Sequence, residues 1–425
     1  MRIVALAATA AVAVGCTDPA PTYYADLKPI VDNRCNSCHD AGGIGPFPLE
    51  TYADVERVGE LVVNAVESRQ MPPWKASPGR AYDGDPSLSD DQIALFRAWL
   101  DGGMPEGDPA EEGEPLPPIS VQLPRVDVRL ELPEPYSPIA TVDDDYRCFL
   151  TEWPESGTRY VTGFEVKPDN QTVVHHVAAF LVRPDGIAGA GVIDTFRDFD
   201  TAEEGPGYTC FGGPSGAEGT QVPIQQVAQW VPGNGAVLFP EGVGIAVPEG
   251  SLIVLQLHYN TPAWDGTPDQ TSIELITESQ VERLGAFAPF LNPLWPLGNM
   301  PLPPGQETTH TQGGDPRPFF ELLNEELDLT AGFDIHASML HMHELGRKGL
   351  VRIDRADGSE DELLRVEDWD FDWQLNYRFM EPVGFEPGDE MFLSCTFEND
   401  RSDAANWGEG TEDEMCVGNL FISQR

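Results

Sequence analysis

Short runs dense in β-branched and apolar residues, QTVVHHVAAFLV (171–182), SLIVLQLHYN (251–260) and KGLVRIDRADG (348–358), recur between Gly- and Pro-containing stretches. Runs of this length and composition suit strands rather than helices. With 42 Gly and 39 Pro among 425 residues, long helical bundles are disfavoured and antiparallel β-sandwiches are expected. The length allows about two to four domains.

Formal net charge is −46, and the chain has four lysines, Lys28, Lys75, Lys167 and Lys348. Such a field repels phosphate backbones, so no nucleic-acid partner is expected. The acidity reads as a solvation shell for salty surroundings.

The N-terminal MRIVALAATAAVAVGC holds one basic residue and an apolar run too short to span a bilayer. It reads as a signal peptide over 1–15. Its AVGC ending resembles a bacterial lipoprotein signal, which implies lipidation of Cys16; an ordinary export signal with an incidental cysteine is the alternative. The mature chain is therefore expected to be exported, as a periplasmic or cell-surface lipoprotein of a bacterium. Its membrane contact would be only through that anchor.

RCNSCHD (34–40) contains C-x-x-C-H. Cys35 and Cys38 are spaced for thioether attachment of haem c, with His39 as the proximal iron ligand. A sixth ligand from Met is expected, and two candidates precede proline, Met71 in RQMPPW and Met104 in GGMPEGD. Met71 is preferred, on a rigid loop between helical segments; Met104 reads as a loop residue after the last helix. That helix is signalled by a cap at Ser89 and a stripe including Ile93, Phe96 and Leu100. Residues 23–108 resemble the small all-α c-type cytochrome domains of exported bacterial proteins. The acidic, proline-rich run at 105–120 marks a linker. The expected organisation places the cytochrome domain at 16–108 and the linker at 109–126.

Four cysteines remain, Cys148, Cys210, Cys395 and Cys416, in a compartment that permits disulfides; the sequence alone allows three pairings. The histidines are the other scarce resource, eight in all. His175 and His176 are adjacent, so sharing one metal requires a strand end or bulge. On QLHYN, Gln256 and His258 share one face, opposite Leu255, Leu257 and Tyr259. His341 and His343, in MLHMHELGRKG, fall on one face if extended. A thioether beside them would favour Cu(I); Met415 is the candidate and Met391 its rival, for which core packing is the ordinary fate. His310 reads as a loop residue and His336 as a packed strand histidine.

HHV (175–177), QLHYN (256–260), LHMHELGRK (340–348), CTF (395–397) and DEMC (413–416), in this order, resemble the copper type II, ascorbate-dependent monooxygenases, the group of dopamine β-hydroxylase and peptidylglycine α-hydroxylating monooxygenase. The likeness covers about residues 127–425. It implies two tandem jelly-roll-like antiparallel β-sandwiches, set at 127–284 and 285–425, with two copper ions facing each other across a wet cleft. It makes His175, His176 and His258 ligands of an electron-storing copper, and His341, His343 and Met415 ligands of an oxygen-binding copper. Cys395 and Cys416 match a family disulfide. Cys148 and Cys210 occupy family-like positions without their usual partners and are expected to pair with each other.

The activity implied is hydroxylation of a C–H bond of a small organic substrate with O2. Electrons would come from ascorbate or a redox protein, or through the fused haem. The peptide-amidating branch has an arginine two residues before the first histidine of its H-x-H; Met339 stands here, which argues against glycine-ended peptides. The alternatives are a non-catalytic copper and haem electron-transfer protein or a copper-binding surface lipoprotein, because a shared fold does not settle function.

Overall fold

The computed structural model describes residues 20–41, 43, 45–119, 122–186, 191–210, 213–216, 224–232, 234–262, 264–408, 410 and 412–425. The expected signal peptide (1–15) and Cys16 lie outside these residues. The described part is mainly β, 37% strand against 16% helix, in several antiparallel sheets.

Helices concentrate near the N-terminus, at Lys28–Arg34, Tyr52–Arg57, Gly59–Glu67 and Asp90–Asp101. Two begin on reciprocal caps, Thr51 with Asp54 and Ser89 with Gln92, which satisfy amides left free in the first turn. Phe96 and Trp99 of the last helix pack with Tyr23, Leu27, Val31 and Val63 into an apolar cluster of their own.

This helical part is not the self-contained all-α unit expected from the sequence. Between Glu67 and Asp90 the chain crosses to the β part, where Tyr82 pairs with Phe379 and Asp83 with Arg378. The Tyr82 ring joins the C-terminal apolar core and its hydroxyl donates to the Leu363 carbonyl at 2.9 Å. Ring and hydroxyl are both satisfied there, which is what a buried tyrosine requires. The expected linker in turn runs back over the helices: Gly113 N–H donates to Tyr24 O, and Lys28 pairs with Glu112 at 3.1 Å.

A five-stranded sheet has the order Tyr208–Thr209, Asp144–Glu152, Leu252–Asn260, Val174–Val182, Gln225–Trp230. A four-stranded sheet joins Gln306–Gly314, Glu390–Asn399, Gly346–Asp354 and Glu360–Val366. A ten-stranded sheet backs both. Phe149, Val177 and Leu255 of the first sheet pack on Phe164, Ile245 and Ile273 of the large one. Val351, Leu364 and Leu393 of the second pack on Ile335, Leu420 and Ile422. The large sheet is continuous across the boundary set at 284/285, which falls inside the Arg283–Phe290 strand. That strand pairs in parallel with Val243–Val247 and antiparallel with Val417–Gln424.

Both expected disulfides are present, Cys148–Cys210 and Cys395–Cys416. His310 is not in a loop: it lies on the Gln306–Gly314 strand, opposite Cys395. The threonines around it, Thr308, Thr309 and Thr311, suit a half-exposed strand, and its Nε2 meets the Pro301 carbonyl at 3.1 Å.

Candidate functional site

The adjacent pair His175–His176 turns to one side through a bulge. His258 pairs with His176, but the next residue, Tyr259, pairs with Val174, leaving His175 as the extra residue. The Nδ1 atoms of His175 and His176 each lie 3.1 Å from Nδ1 of His258. Ligand nitrogens of all three fall within 4.8 Å of one another, a spacing that could hold one metal ion.

Strand alternation aims His258 at this centre, with Leu255, Leu257 and Tyr259 turned into the core. Behind the ring, Asp144 Oδ1 lies 2.8 Å from Nε2. A carboxylate accepts, so Nε2 carries the hydrogen and the Nδ1 lone pair faces the other histidines. That bond in turn holds the Asp144 carboxyl below its usual range. Tyr146 stacks on His258 at 4.1 Å between ring centroids. Burial, then the charge of His258, pushes His175 down to about 4. His176 is lowered by burial and by His258, His175, His341 and His343. At neutral pH both present the neutral imidazole that a metal binds.

His341 ends the Phe333–His341 strand, opposite Val417, and His343 follows two residues on. Their ring centroids are 5.1 Å apart. His341 Nδ1 meets Gln374 Oε1 at 2.5 Å, and His343 Nδ1 meets the Asp413 carbonyl at 3.1 Å. Both partners accept, so the hydrogens sit on Nδ1 and the two Nε2 lone pairs are free. Burial lowers His341; burial and the His341 charge push His343 down to about 3.

Glu414 ties the DEMC segment to this turn. Its carboxylate accepts the backbone N–H of His343 at 2.8 Å and of Leu345 at 2.5 Å. Burial raises its carboxyl to about 7. The next residue, Met415, is buried, and Cys416 after it is fixed by the disulfide to Cys395. Met391 belongs to the C-terminal apolar core, as core packing would have it. His336 is a packed strand histidine, with Nε2 2.9 Å from Ser423 Oγ.

The two histidine groups are close enough for the charges of His341 and His343 to reach His176. Beside them the two sheets meet through side chains: Asn419 donates to Gln226 at 3.0 Å, and Gln229 lies 3.5 Å from the Met339 sulfur.

In the helical part, Cys35 and Cys38 are not joined to each other. His39 Nδ1 lies 2.9 Å from the Phe47 carbonyl, which leaves Nε2 free. Met71 lines a cavity of about 550 Å³ with Val66, Arg69, Leu88 and Ile93. His39 is not among its lining residues. Met104 is a loop residue after the Asp90–Asp101 helix, as expected, and its side chain packs against the helical core beside Gly59.

Asp144, Gln374 and Glu414 were not singled out from the sequence. Only Glu414 had a signal, its place beside Met415 in DEMC.

Residues 297–422 match the model of the copper type II ascorbate-dependent monooxygenase, C-terminal domain. Dopamine beta-hydroxylase of Equus caballus is 27% identical over 317 residues, 71% of this chain and 48% of that protein. DBH-like monooxygenase protein 2 of Mus musculus is 25% identical over 295 residues, 67% of this chain and 44% of that protein. The chain thus spans about half the length of the curated relatives it matches. A solved peptide-N(4)-(N-acetyl-beta-D-glucosaminyl) asparagine amidase, 9% identical, covers 70% of this chain and 96% of its own at a TM-score of 0.29, too distant to bear on the site. By the family match over 297–422 and these relatives, the chain is similar to the copper type II ascorbate-dependent monooxygenases, a family of oxidoreductase enzymes.

Proposed function

We propose that the chain is an exported monooxygenase with two coppers, at His175/His176/His258 and at His341/His343/Met415. It hydroxylates a C–H bond of a small organic substrate with O2. Its electrons come through an N-terminal haem c unit, from ascorbate, or from a redox protein. In this reading the β part is two jelly-roll-like sandwiches and the mature chain is anchored by lipid at Cys16.

The observation that carries the reading is the convergence of three Nδ1 atoms near a second pair of imidazoles with free Nε2 atoms. Bound copper supplies one-electron redox chemistry and oxygen activation, and two ions match the two electrons a hydroxylation consumes. The protein's part is to prepare the donors. Asp144, Gln374 and the Asp413 carbonyl hold ring hydrogens on the far side of the His258, His341 and His343 imidazoles. Burial favours the neutral form of His175, His176, His341 and His343. The Met415 thioether would add a soft donor suited to the cuprous state. Met339, beside Gln229, offers no cation to clamp a peptide carboxylate.

The haem residues fit the same test. The Phe47 carbonyl takes the Nδ1–H of His39, leaving Nε2 for iron, and the Cys35 and Cys38 thiols are free for two thioethers. Met71 is the proposed sixth ligand.

Metal analysis of the purified chain, followed by oxygen uptake with a panel of amines and aromatics and ascorbate as reductant, tests the reading. Two coppers beside one haem iron, with substrate-dependent uptake, are expected. Fully metal-supplied protein that retains no copper would overturn it.

A further inference from the structure

Residues 367–376 join the Glu360–Val366 and Tyr377–Phe385 strands without strand pairing of their own. This connection touches both histidines of the second group. Gln374 meets His341 Nδ1 at 2.5 Å, the Trp369 indole N–H donates to the His343 carbonyl at 3.1 Å, and the Phe371 ring lies 5.9 Å from the His343 ring. Trp369 sits flush on the turn after His343, where a Cβ added at Gly346 would come within 2.7 Å of its indole. A connection outside any sheet ladder takes its shape from what packs against it.

Residues 74–77, from the N-terminal part, close this connection at both ends. At its entry, Ala76 bridges to Val366, and the Ser77 N–H donates to the Arg365 carbonyl at 2.8 Å. At its exit, Trp74 packs edge-on against the buried Tyr377, 4.8 Å between centroids, and the Tyr377 hydroxyl accepts the Lys75 N–H at 3.3 Å. Between the ends, the Lys75 ammonium lies 3.3 Å from Asp368 and from Asp370. The Asp368 carboxylate is almost fully exposed and contributes little, so the ring contact and the backbone bonds carry most of the hold. The three-histidine group draws its support elsewhere, from Asp144 and the bulge at His175. A tether between the helices and the β part would need one point of attachment. This one brackets the ten residues that orient His341 and His343.

We propose that residues 74–77 are a structural part of the His341/His343 centre. They hold the 367–376 connection in the shape that turns Gln374 and Trp369 onto the two histidines, which makes Trp74 and Lys75 positioning residues for the metal bound there. The inference rests on the copper reading above. Loss of a partner that orients a ligand directly costs about 10- to 100-fold in metal affinity. Residues 74–77 act one contact further out, so the effect belongs at the lower end of that range.

The test is copper titration of the full-length protein against a competing chelator, with electron paramagnetic resonance resolving the two cupric signals. The double variants His175→Ala/His258→Ala and His341→Ala/His343→Ala assign the signals. Trp74→Leu is expected to weaken the His341/His343 group about tenfold and to shift its cupric signal, while the three-histidine group binds as before. Trp74→Phe, which keeps a ring against Tyr377, should restore both. In a Gln374→Ala background the Trp74→Leu step should cost less than in the parent, because the two act on one contact. Lys75→Met removes the charge and keeps the backbone N–H for Tyr377; a smaller loss at the same group is expected, and this variant decides the matter should Trp74→Leu not fold. Unchanged affinity and signal at His341/His343 overturn the proposal, and so does an equal loss at both groups, which would mean general destabilisation. A parent chain that binds no copper sinks the underlying reading; a parent with two coppers, indifferent to Trp74 and Lys75, sinks the positioning role alone.

Discussion

Asp144 Oδ1 lies 2.8 Å from Nε2 of His258, on the side of the ring away from His175 and His176. The carboxylate fixes the tautomer that turns the Nδ1 lone pair inward and makes that nitrogen a better donor. Removing such a partner costs about 10- to 100-fold in metal affinity. Asp144→Ala is therefore expected to weaken copper binding at the three-histidine group by that factor, with Asp144→Asn between it and the parent. Copper titration against a competing chelator reads this, and the His341/His343 group should bind as before. Equal affinities at both groups would refute the role.

The Cys395–Cys416 bridge lies next to Met415, and Cys148–Cys210 braces the strand that neighbours His258, with Gln256 Nε2 3.7 Å from the Cys210 sulfur. Removing a native disulfide costs about 2–5 kcal/mol, and each loss should loosen its own metal group. Cys395→Ser/Cys416→Ser is expected to lower the thermal midpoint and weaken copper at His341/His343 first. Cys148→Ser/Cys210→Ser should weaken the three-histidine group first. Stoichiometric copper analysis of the two variants decides it, and loss from the opposite group in either would contradict the assignment.

The parts of the site legible in the sequence were those set by rare residues or local periodicity. Two adjacent histidines on a strand pattern required a strand end or a bulge to share one metal, and a bulge falls at His175. Ser89 marked its own helix start, and the structure adds Gln92 as its reciprocal partner. Asp144 was invisible because 71 acidic residues make one more carboxylate uninformative. Gln374 lies 33 residues from the histidine it holds, with no spacing rule linking them. The crossing at Trp74 and Tyr82 was hidden for the same reason. MPPWK reads locally as a loop, and Tyr377, which Lys75 meets, is 302 residues further on. Local patterns carry propensity; they do not carry the partner.

His336 gives the β part an acid-sensitive point outside both proposed metal groups. Burial pushes it down to about 4, the Asp334 charge opposing and the Arg283 charge adding to the shift. Between about pH 4 and the ordinary histidine value of 6.5 the unfolded chain binds a proton that the native chain refuses. Stability is thus complete above that window and is lost as pH falls through it. At about 1.4 kcal/mol per pH unit, His336 accounts for on the order of 3 kcal/mol of acid destabilisation. His336→Gln, which keeps a donor for Ser423, should flatten the pH dependence by that share. Denaturant unfolding of parent and variant from pH 7 to pH 4 measures the difference, and parallel curves would refute it.

Met415 and Met391 are both buried, yet Met391 lies in the C-terminal apolar core beside Leu393, whereas Met415 follows the carboxylate that holds the His343 turn. Leucine preserves the volume of methionine and removes its sulfur. Met391→Leu should cost less than about 1.5 kcal/mol and leave copper content and oxygen uptake unchanged. Met415→Leu should fold equally well, keep the three-histidine copper and the haem spectrum, and lose oxygen uptake together with sulfur scattering from the cuprous protein in X-ray absorption. Uptake unaffected by Met415→Leu would remove that thioether from the proposed oxygen-activating centre. An electron-transfer protein without oxygen chemistry would show no substrate-dependent uptake in the parent chain either, so the pair of variants also separates the enzyme from a copper carrier.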